Sequence, residues 1–344
     1  MITLKEIARQ AEVSVGTVDR VLHDRGRVSK ASIEKVKAII TKTRYRTNIH
    51  AQNLSLQATH HFGVIMPYPH QDGYYWEMMR KGVDQAAEEL ASFNVHRHFF
   101  YFDKFSEASF VKAGTQALDH RVEGLIIAPV LFDACHAFVR SIPDEVPYIY
   151  VDSTIPGTAP MASIGQNSFQ SGLCGAKLMR MLLTKEANGD IAVLRMLPND
   201  FHINERVRGF LSFFDNVSGD KVYVFDVDTG MGEREFVQRI GSIDEEVPDC
   251  KGFFVTNAQT HRVVKALLVR ESAAKHIIGY DCIEENLRLL ETGNIDFIIS
   301  QKTREQGYSG ITALFRNLVL KERCAGDVRM PIDIVSAGNA SFYR

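Results

Sequence analysis

The side chains with the most chemical capacity fall at the ends of short apolar runs. Tyr75 and Trp76 follow the first run, Asp152 follows Tyr-Ile-Tyr-Val, Asn257 follows Phe-Phe-Val-Thr, Asp281 follows Ile-Ile-Gly-Tyr and Gln301 follows Phe-Ile-Ile-Ser. Arg206, opening the helical stretch Asn-Glu-Arg-Val-Arg-Gly-Phe, adds a planar, permanently charged bidentate donor. Their recurrence at run ends reads as a set of groups for holding a small polar ligand, although each alone also reads as a cap or loop residue. Catalysis is not indicated: the sequence has no Gly-x-Ser-x-Gly, no phosphate-binding Gly-x-x-x-x-Gly-Lys-Ser/Thr and no His-Glu-x-x-His. The twelve histidines show no metal-ligand spacing. His96 and His98 alternate on a strand run and His60 and His61 abut a linker, so surface placement is expected, with no metal and no cofactor.

A second set lies at the N-terminus. Thr3 and Glu6 make a capping box, followed by Leu4, Ile7, Ala8 and Ala11 at helical spacing. Ser14 can cap a second helix carrying Val18, Val21 and Leu22 on one face, and Ser29 a third carrying Ile33, Val36, Ile39 and Ile40. Only Glu12 and Val13 separate the first two helices, a turn tight enough to leave the second helix free for a major groove. Val15, Gly16, Thr17 and Arg20 are then presented to bases: Arg20 to a guanine or a phosphate, Val15 to a thymine methyl, Gly16 through its backbone. Charge agrees with this placement. Residues 1 to 60 hold eleven Lys and Arg against five Asp and Glu, a net of +6, while the rest of the chain carries −8. A basic head on an acidic body suits a polyanion, although a solvated basic segment would look the same by charge alone.

The elements that must position the first set begin at Phe62. Apolar runs of strand length alternate with helical stretches over Phe62 to Met66, Val95 to Phe102, Gly124 to Ala128, Tyr148 to Val151, Ile191 to Met196, Lys221 to Phe225, Gly252 to Thr256, His276 to Tyr280 and Phe297 to Ser300. Such alternation predicts parallel sheets built of βαβ units, and the runs are too many for one compact sheet. The expected fold class is α/β: an all-α head and a two-lobed, doubly wound body whose ligands bind beyond the carboxyl ends of the strands. With 344 residues, 45% hydrophobic and 24% charged, the composition is that of a globular protein. No apolar run reaches membrane length, no leader is apparent at the start, and a cytoplasmic protein is expected. The five cysteines, Cys135, Cys174, Cys250, Cys282 and Cys324, are scattered and read as reduced thiols.

Residues 2 to 22, with Val13-Ser-x-x-Thr-Val-x-Arg-Val at their centre, resemble the helix-turn-helix of the LacI/GalR (lactose-repressor) family. Val28 to Val36 is similar to that family's third helix, and Tyr45-x-x-Asn48 with Ala51-Gln-Asn-Leu54 to its hinge. The resemblance implies a DNA-contacting set of Thr3, Ser14, Val15, Gly16, Thr17, Arg20, His23, Asn48, Ala51 and Leu54, with Leu54 as a minor-groove wedge. It implies homodimers on a pseudo-palindromic operator, with no membrane association. The body resembles the family's periplasmic-binding-protein-like sensor, of the type of the ribose-binding proteins. That likeness assigns Arg206, Asn257, Asp281 and Gln301 to a small-molecule effector, a sugar or derivative, alongside Tyr75, Trp76, Asp152 and Asn167, with Trp76 as a stacking surface. It places boundaries at 1–46 for the head, 47–60 for the hinge and 61–344 for the body. Within the body the first lobe is expected at about 61–163 and 302–324, the second at about 164–301 and 325–344.

Four positions depart from the family pattern. Glu12 stands where glycine is frequent, Thr47 where proline is common, Val130-Leu131 after Pro129 where an Asp is often found, and Gln166-Asn167 where Asp-Asn is usual. A ligand-controlled DNA-binding regulator accounts for both halves of the chain. A solute receptor accounts for the body but not the basic head, and a sugar-processing enzyme lacks a catalytic set.

Overall fold

The computed structural model describes residues 4–22, 26, 28–43, 58–183, 189–198, 200–215, 221–272, 274–323 and 326–344. The chain divides into two units, Met1–Ala58 and Thr59–Arg344. Thr3, His23, Asn48, Ala51 and Leu54 lie outside the described residues.

In the first unit the helical spacing closes one small core. Ile7, Ala8 and Ala11 of α1 (Leu4–Ala11) meet Val18 of α2 (Val15–Leu22) and Val36 of α3 (Lys30–Thr43). The starts of α2 and α3 are capped alike: Ser14 Oγ accepts the Thr17 amide at 3.2 Å, and Ser29 Oγ accepts the Ser32 amide at 3.2 Å. The α1–α2 turn requires left-handed backbone at Glu12, where φ is +54°. A side chain there costs about 1 kcal/mol, and the exposed Glu12–Lys35 ion pair, at 3.7 Å, returns only part of it. Glu12→Gly is therefore expected to stabilise the head by about 0.5–1 kcal/mol in urea denaturation followed by helical circular dichroism. A destabilised variant would contradict the strain argument.

The second unit holds two six-stranded sheets. The first contains β1 (His60–Pro67), β2 (Val95–Phe102), β3 (Gly124–Ile127), β4 (Tyr148–Val151), β5 (Ala162–Gln166) and β11 (Val328–Met330). They are ordered β11-β5-β4-β3-β1-β2 and are parallel throughout. The second contains β6 (Asp190–Met196), β7 (Val222–Val227), β8 (Cys250–Val255), β9 (His276–Tyr280), β10 (Phe297–Ser300) and β12 (Asp333–Val335). Its order is β12-β10-β9-β8-β6-β7, with β12 antiparallel to β10.

Because helices cover both faces, the central strands are apolar throughout instead of alternating. On the first sheet α4 (Gln71–Glu89) and α12 (Thr303–Leu318) bury one face, and α5 (Glu107–Asp119) with α6 (Phe132–Val139) the other. On the second, α7 (Ser168–Leu183) and α8 (Phe201–Phe214) oppose α9 (Glu233–Glu246), α10 (Thr260–Val269) and α11 (Glu284–Glu291). The two-lobed α/β architecture read from the sequence is thus the observed one.

Two of the three lobe crossings fall later than expected. β5 and β11 both belong to the first sheet, so the chain changes lobe near residues 167, 301 and 331, against expectations of 163/164, 301/302 and 324/325. Gln166 explains its own departure from the family pair: its Nε2 donates to the Ser300 carbonyl at 3.0 Å and the Pro331 carbonyl at 2.9 Å. One carboxamide therefore ties the three crossings together.

Candidate functional site

The carboxyl ends of the two sheets face one cleft, and the sequence places an aspartate at the mouth of each. Asp152 follows β4 with φ +71°, and Asp281 follows β9 with φ +72°. Aspartate tolerates this left-handed conformation better than most residues, and here it turns each carboxylate off the strand axis into the cleft. Tyr75, Trp76, Asp152, Arg206, Asn257, Asp281 and Gln301 together line a single cavity of about 30 Å³. Seven of the eight expected effector residues are thus brought together. Asn167 is not among them: it lines the adjoining, wider cleft of about 310 Å³, and its Oδ1 accepts the Gln170 amide at 3.0 Å at the start of α7.

Arg206 is the largest fully buried side chain of the body. Its Nη1 donates to the Thr256 carbonyl at 2.6 Å, its Nη2 to Gln301 Oε1, and its guanidinium lies 4.0 Å from the centre of the Tyr280 ring. Gln301 passes the contact on, donating from Nε2 to Asp281 Oδ1 at 2.8 Å. On the facing lobe Tyr75 donates its hydroxyl to Asp152 Oδ1 at 2.5 Å. The backbone of α8 that carries Arg206 is held close to α7 by Gly172, where an added Cβ would stand 2.0 Å from the Arg206 carbonyl oxygen. Any larger residue there would push the guanidinium off its partners.

Burial sets the electrostatics. It pushes the Asp281 carboxyl up to about 7 against the opposing pull of Arg206 and the Gln301 hydrogen bond. Burial also raises Asp152, with His202 and the Tyr75 hydroxyl opposing it. Two buried carboxyls near one guanidinium make a site that can hold vicinal hydroxyls as donor and acceptor at once. Among the described residues, three polar atoms beside the cavity lack a hydrogen-bond partner, Arg206 Nε, Asp200 Oδ2 and His202 Nδ1, the last in close contact with Asp200 Oδ1 at 2.6 Å. Buried groups of this kind call for a partner, which a polar ligand can supply.

Sequence reasoning missed Asp72, Asp200 and His202, all of which line the same cavity. Asp72 is aimed there by three consecutive left-handed residues at the start of α4, Asp72, Gly73 and Tyr74, with φ of +52°, +66° and +68°. Its carboxylate takes hydrogen bonds from Lys104 Nζ, from Trp76 Nε1 at 3.0 Å and, across the cleft, from Gln259 Nε2 at 3.3 Å. The indole of Trp76 is thereby fixed, with its ring edge-on to Tyr75 at 4.9 Å. Asp200 caps the start of α8, where it accepts the His202 amide at 3.2 Å. Contacts that cross the cleft, Asp72 to Gln259 and Ser153 Oγ to Asp200 at 3.5 Å, hold the lobes nearly shut.

On the first unit, Val15, Gly16 and Arg20 are exposed along one side of α2, while Ser14 and Thr17 share a hydroxyl hydrogen bond of 2.9 Å at its start. Gly16 has open space around its Cα, since an added Cβ meets only Ser14 Oγ, at 3.8 Å. Packing within the unit therefore does not require glycine there. One set of histidines also departs from expectation. His61, His98 and His120 converge, their ligand atoms all within 4.8 Å of one another. They come from β1, β2 and the end of α5, so spacing along the chain could not reveal them.

A profile of the bacterial regulatory proteins of the lacI family matches residues 3–48, and a periplasmic binding protein domain profile matches residues 62–322. The chain belongs, over residues 62–322, to the periplasmic binding protein domain family, and carries a lacI-family regulatory domain at residues 3–48. The chain is 24% identical to the ribose operon repressor of Lactococcus lactis, over 62% of its own length and 60% of that protein. It is 30% identical to the transcriptional regulator GalR of Salmonella typhimurium, over 46% and 44% respectively. The chain thus spans about half the length of the curated relatives it matches. Among solved structures, a putative LacI transcriptional regulator from Bacteroides fragilis aligns with 83% of this chain and 100% of its own, at TM-score 0.75 and 25% identity. A carbohydrate solute binding protein from Agrobacterium radiobacter, in complex with D-arabinose, shares the fold at TM-score 0.73 and 20% identity, over 83% and 96%.

Proposed function

We propose that this lacI-family chain is a sequence-specific DNA-binding repressor of the cytoplasm. Its homodimer holds a pseudo-palindromic operator under the control of a sugar or sugar derivative bound between the lobes. The observation that carries this reading is the junction, in one chain, of a lacI-type three-helix head with a cleft where Arg206, Asp152 and Asp281 converge. The donor and acceptor set, with Tyr75 and Trp76 beside it, has the chemistry of polyol recognition. The names of relatives, ribose operon repressor and GalR, agree with that class. Among the described residues no helix is long and apolar enough to cross a membrane.

The mechanism follows from linkage. With the lobes latched, the free space between them is about 30 Å³, less than a sugar needs, and a parting of the lobes would admit the effector. Whatever lobe arrangement the effector favours, DNA favours or disfavours by the same coupling energy. The residues proposed for the DNA face are Val15, Gly16, Thr17 and Arg20 with Thr3, Ser14 and His23, and for the hinge Asn48, Ala51 and Leu54.

The test is binding of the full chain to genomic fragments at graded salt, with and without a panel of pentoses, hexoses and polyols. Sequence-preferring, salt-sensitive binding that one sugar class shifts is the expected result. Absence of such binding under every condition would defeat the proposal. On the operator so found, Arg20→Ala is expected to weaken binding by about tenfold or more. It should also relax preference at one base pair or shrink the salt slope by about one. Unchanged affinity and slope would remove Arg20 from the interface.

A further inference from the structure

The convergence of His61, His98 and His120 lies toward the amino ends of the strands of the first sheet, away from the effector cleft at their carboxyl ends. His61 is the second residue of β1, and His98 is the fourth of β2. The two strands are parallel and in register, His61 beside His96 and Gly63 beside His98, so these imidazoles leave the same face of the sheet. That face is the one α5 covers, and His120, at the end of α5, lands over them. His61 Nδ1 and His98 Nε2 stand 2.8 Å apart, and the His98 and His120 rings are 4.2 Å apart. His96 stacks on His61 from the outer side, with ring centres 5.4 Å apart.

We propose that His61, His98 and His120 form a binding site for one divalent transition metal ion, of the zinc, cobalt, nickel or copper(II) class. Imidazole nitrogen selects these borderline ions over magnesium or calcium, which take oxygen ligands. In a tetrahedral site with nitrogens about 2.0 Å from zinc, neighbouring donors stand roughly 3.3 Å apart. Separations running from 2.8 Å to no more than 4.8 Å bracket that value, so small ring rotations suffice. Three imidazoles leave the fourth position open to water.

The close contact of the first two rings leaves a lone pair for the metal. A contact of 2.8 Å between two ring nitrogens needs a lone pair on one of them, so both rings cannot be protonated there. The strand beneath is fixed independently. Glu123 accepts the His61 amide with Oε1 at 3.3 Å and pairs through Oε2 with His60 Nδ1 at 2.9 Å. His61 is the third residue past the boundary at Ala58. An ion there would tie β1, β2 and the end of α5 together just where the chain enters the body.

The test uses the full chain, stripped with EDTA and titrated with cobalt(II), followed by its visible absorption, and with zinc(II), followed by calorimetry. His120 is exposed, so His120→Ala should fold, and His98→Ala together with His120→Ala gives the stronger lesion. The expected result is one ion per chain, affinity reduced by roughly a hundredfold or more in each variant, and a metal-dependent rise in melting temperature present only in the parent. Metal-free melting curves of parent and variants should stay close. Failure of the parent to bind at micromolar metal, or equal binding by the double variant, overturns the site.

Discussion

Arg206→Ala is expected to abolish the thermal shift that the effector produces, and to lower the melting temperature of the ligand-free chain as well. Both effects follow from the position of the guanidinium. It is buried, bonded to the Thr256 carbonyl and to Gln301, and stacked on Tyr280, with Asp281 one hydrogen bond further on. Removing it strips a buried carboxyl of its nearest cation and leaves Gln301 without a donor. Truncating one member of a buried charged pair costs about 2–5 kcal/mol in binding, which is roughly thirtyfold or more in Kd. Arg206→Lys separates the two roles, since it keeps the charge and loses the fork. It should recover most of the ligand-free stability but not the effector affinity, as read by thermal shift and calorimetry. A parental effector response in Arg206→Lys would take the guanidinium out of the ligand contacts and leave it a structural ion.

Much of this site was legible in the sequence because its residues sit at fixed places in a repeating unit. A buried parallel strand announces itself as an apolar run, and the residue after it faces the cleft whatever the loop does next. Asp152, Asn257, Asp281 and Gln301 all came from that one rule, and the cavity contains all four. What was missed depends on geometry that no local pattern carries. Asp72 reaches the cleft only through a left-handed turn at Asp72, Gly73 and Tyr74, whose sequence looks like the plain start of a helix. β5 alternates buried and half-buried residues, and β11 and β12 have three residues each, too few to form a recognisable run. Missing those strands is what displaced the expected lobe crossings. The histidine cluster is the extreme case, since its members are 22 to 59 positions apart and only the parallel register of β1 with β2 brings them onto one face.

The Glu12 turn teaches the opposite lesson. There the sequence departs from the more permissive residue, and the backbone adopts the left-handed conformation anyway, at φ +54°. The three-helix core of Ile7, Val18 and Val36 fixes where α1 and α2 must lie, so local preference yields to packing.

A pH scan of ligand-free stability should separate the parent from Asp281→Asn. The Asp281 carboxyl titrates at about 7 in the folded chain, against 3.8 for the ordinary side chain. Between those values the folded state keeps a proton that the unfolded state has released, so folding takes up a proton. Raising the pH therefore costs stability. The contribution is present in full below about pH 4 and is lost as pH rises through 7. Asparagine has no proton to lose, so the variant should hold its melting temperature across pH 5 to 8 where the parent falls, apart from the slope that the buried Asp152 adds to both. Binding carries the complementary signature. A hydroxylated ligand that donates to Asp281 favours the carboxylate, so effector affinity in the parent should rise with pH through 7, with proton release visible as a buffer-dependent heat. In Asp281→Asn that release should vanish while the lobes still close through Asp72 and Gln259. Parallel stability profiles in parent and variant would mean that Asp281 is ionised in the closed cleft, and the charge balance built around Arg206 would have to be redrawn.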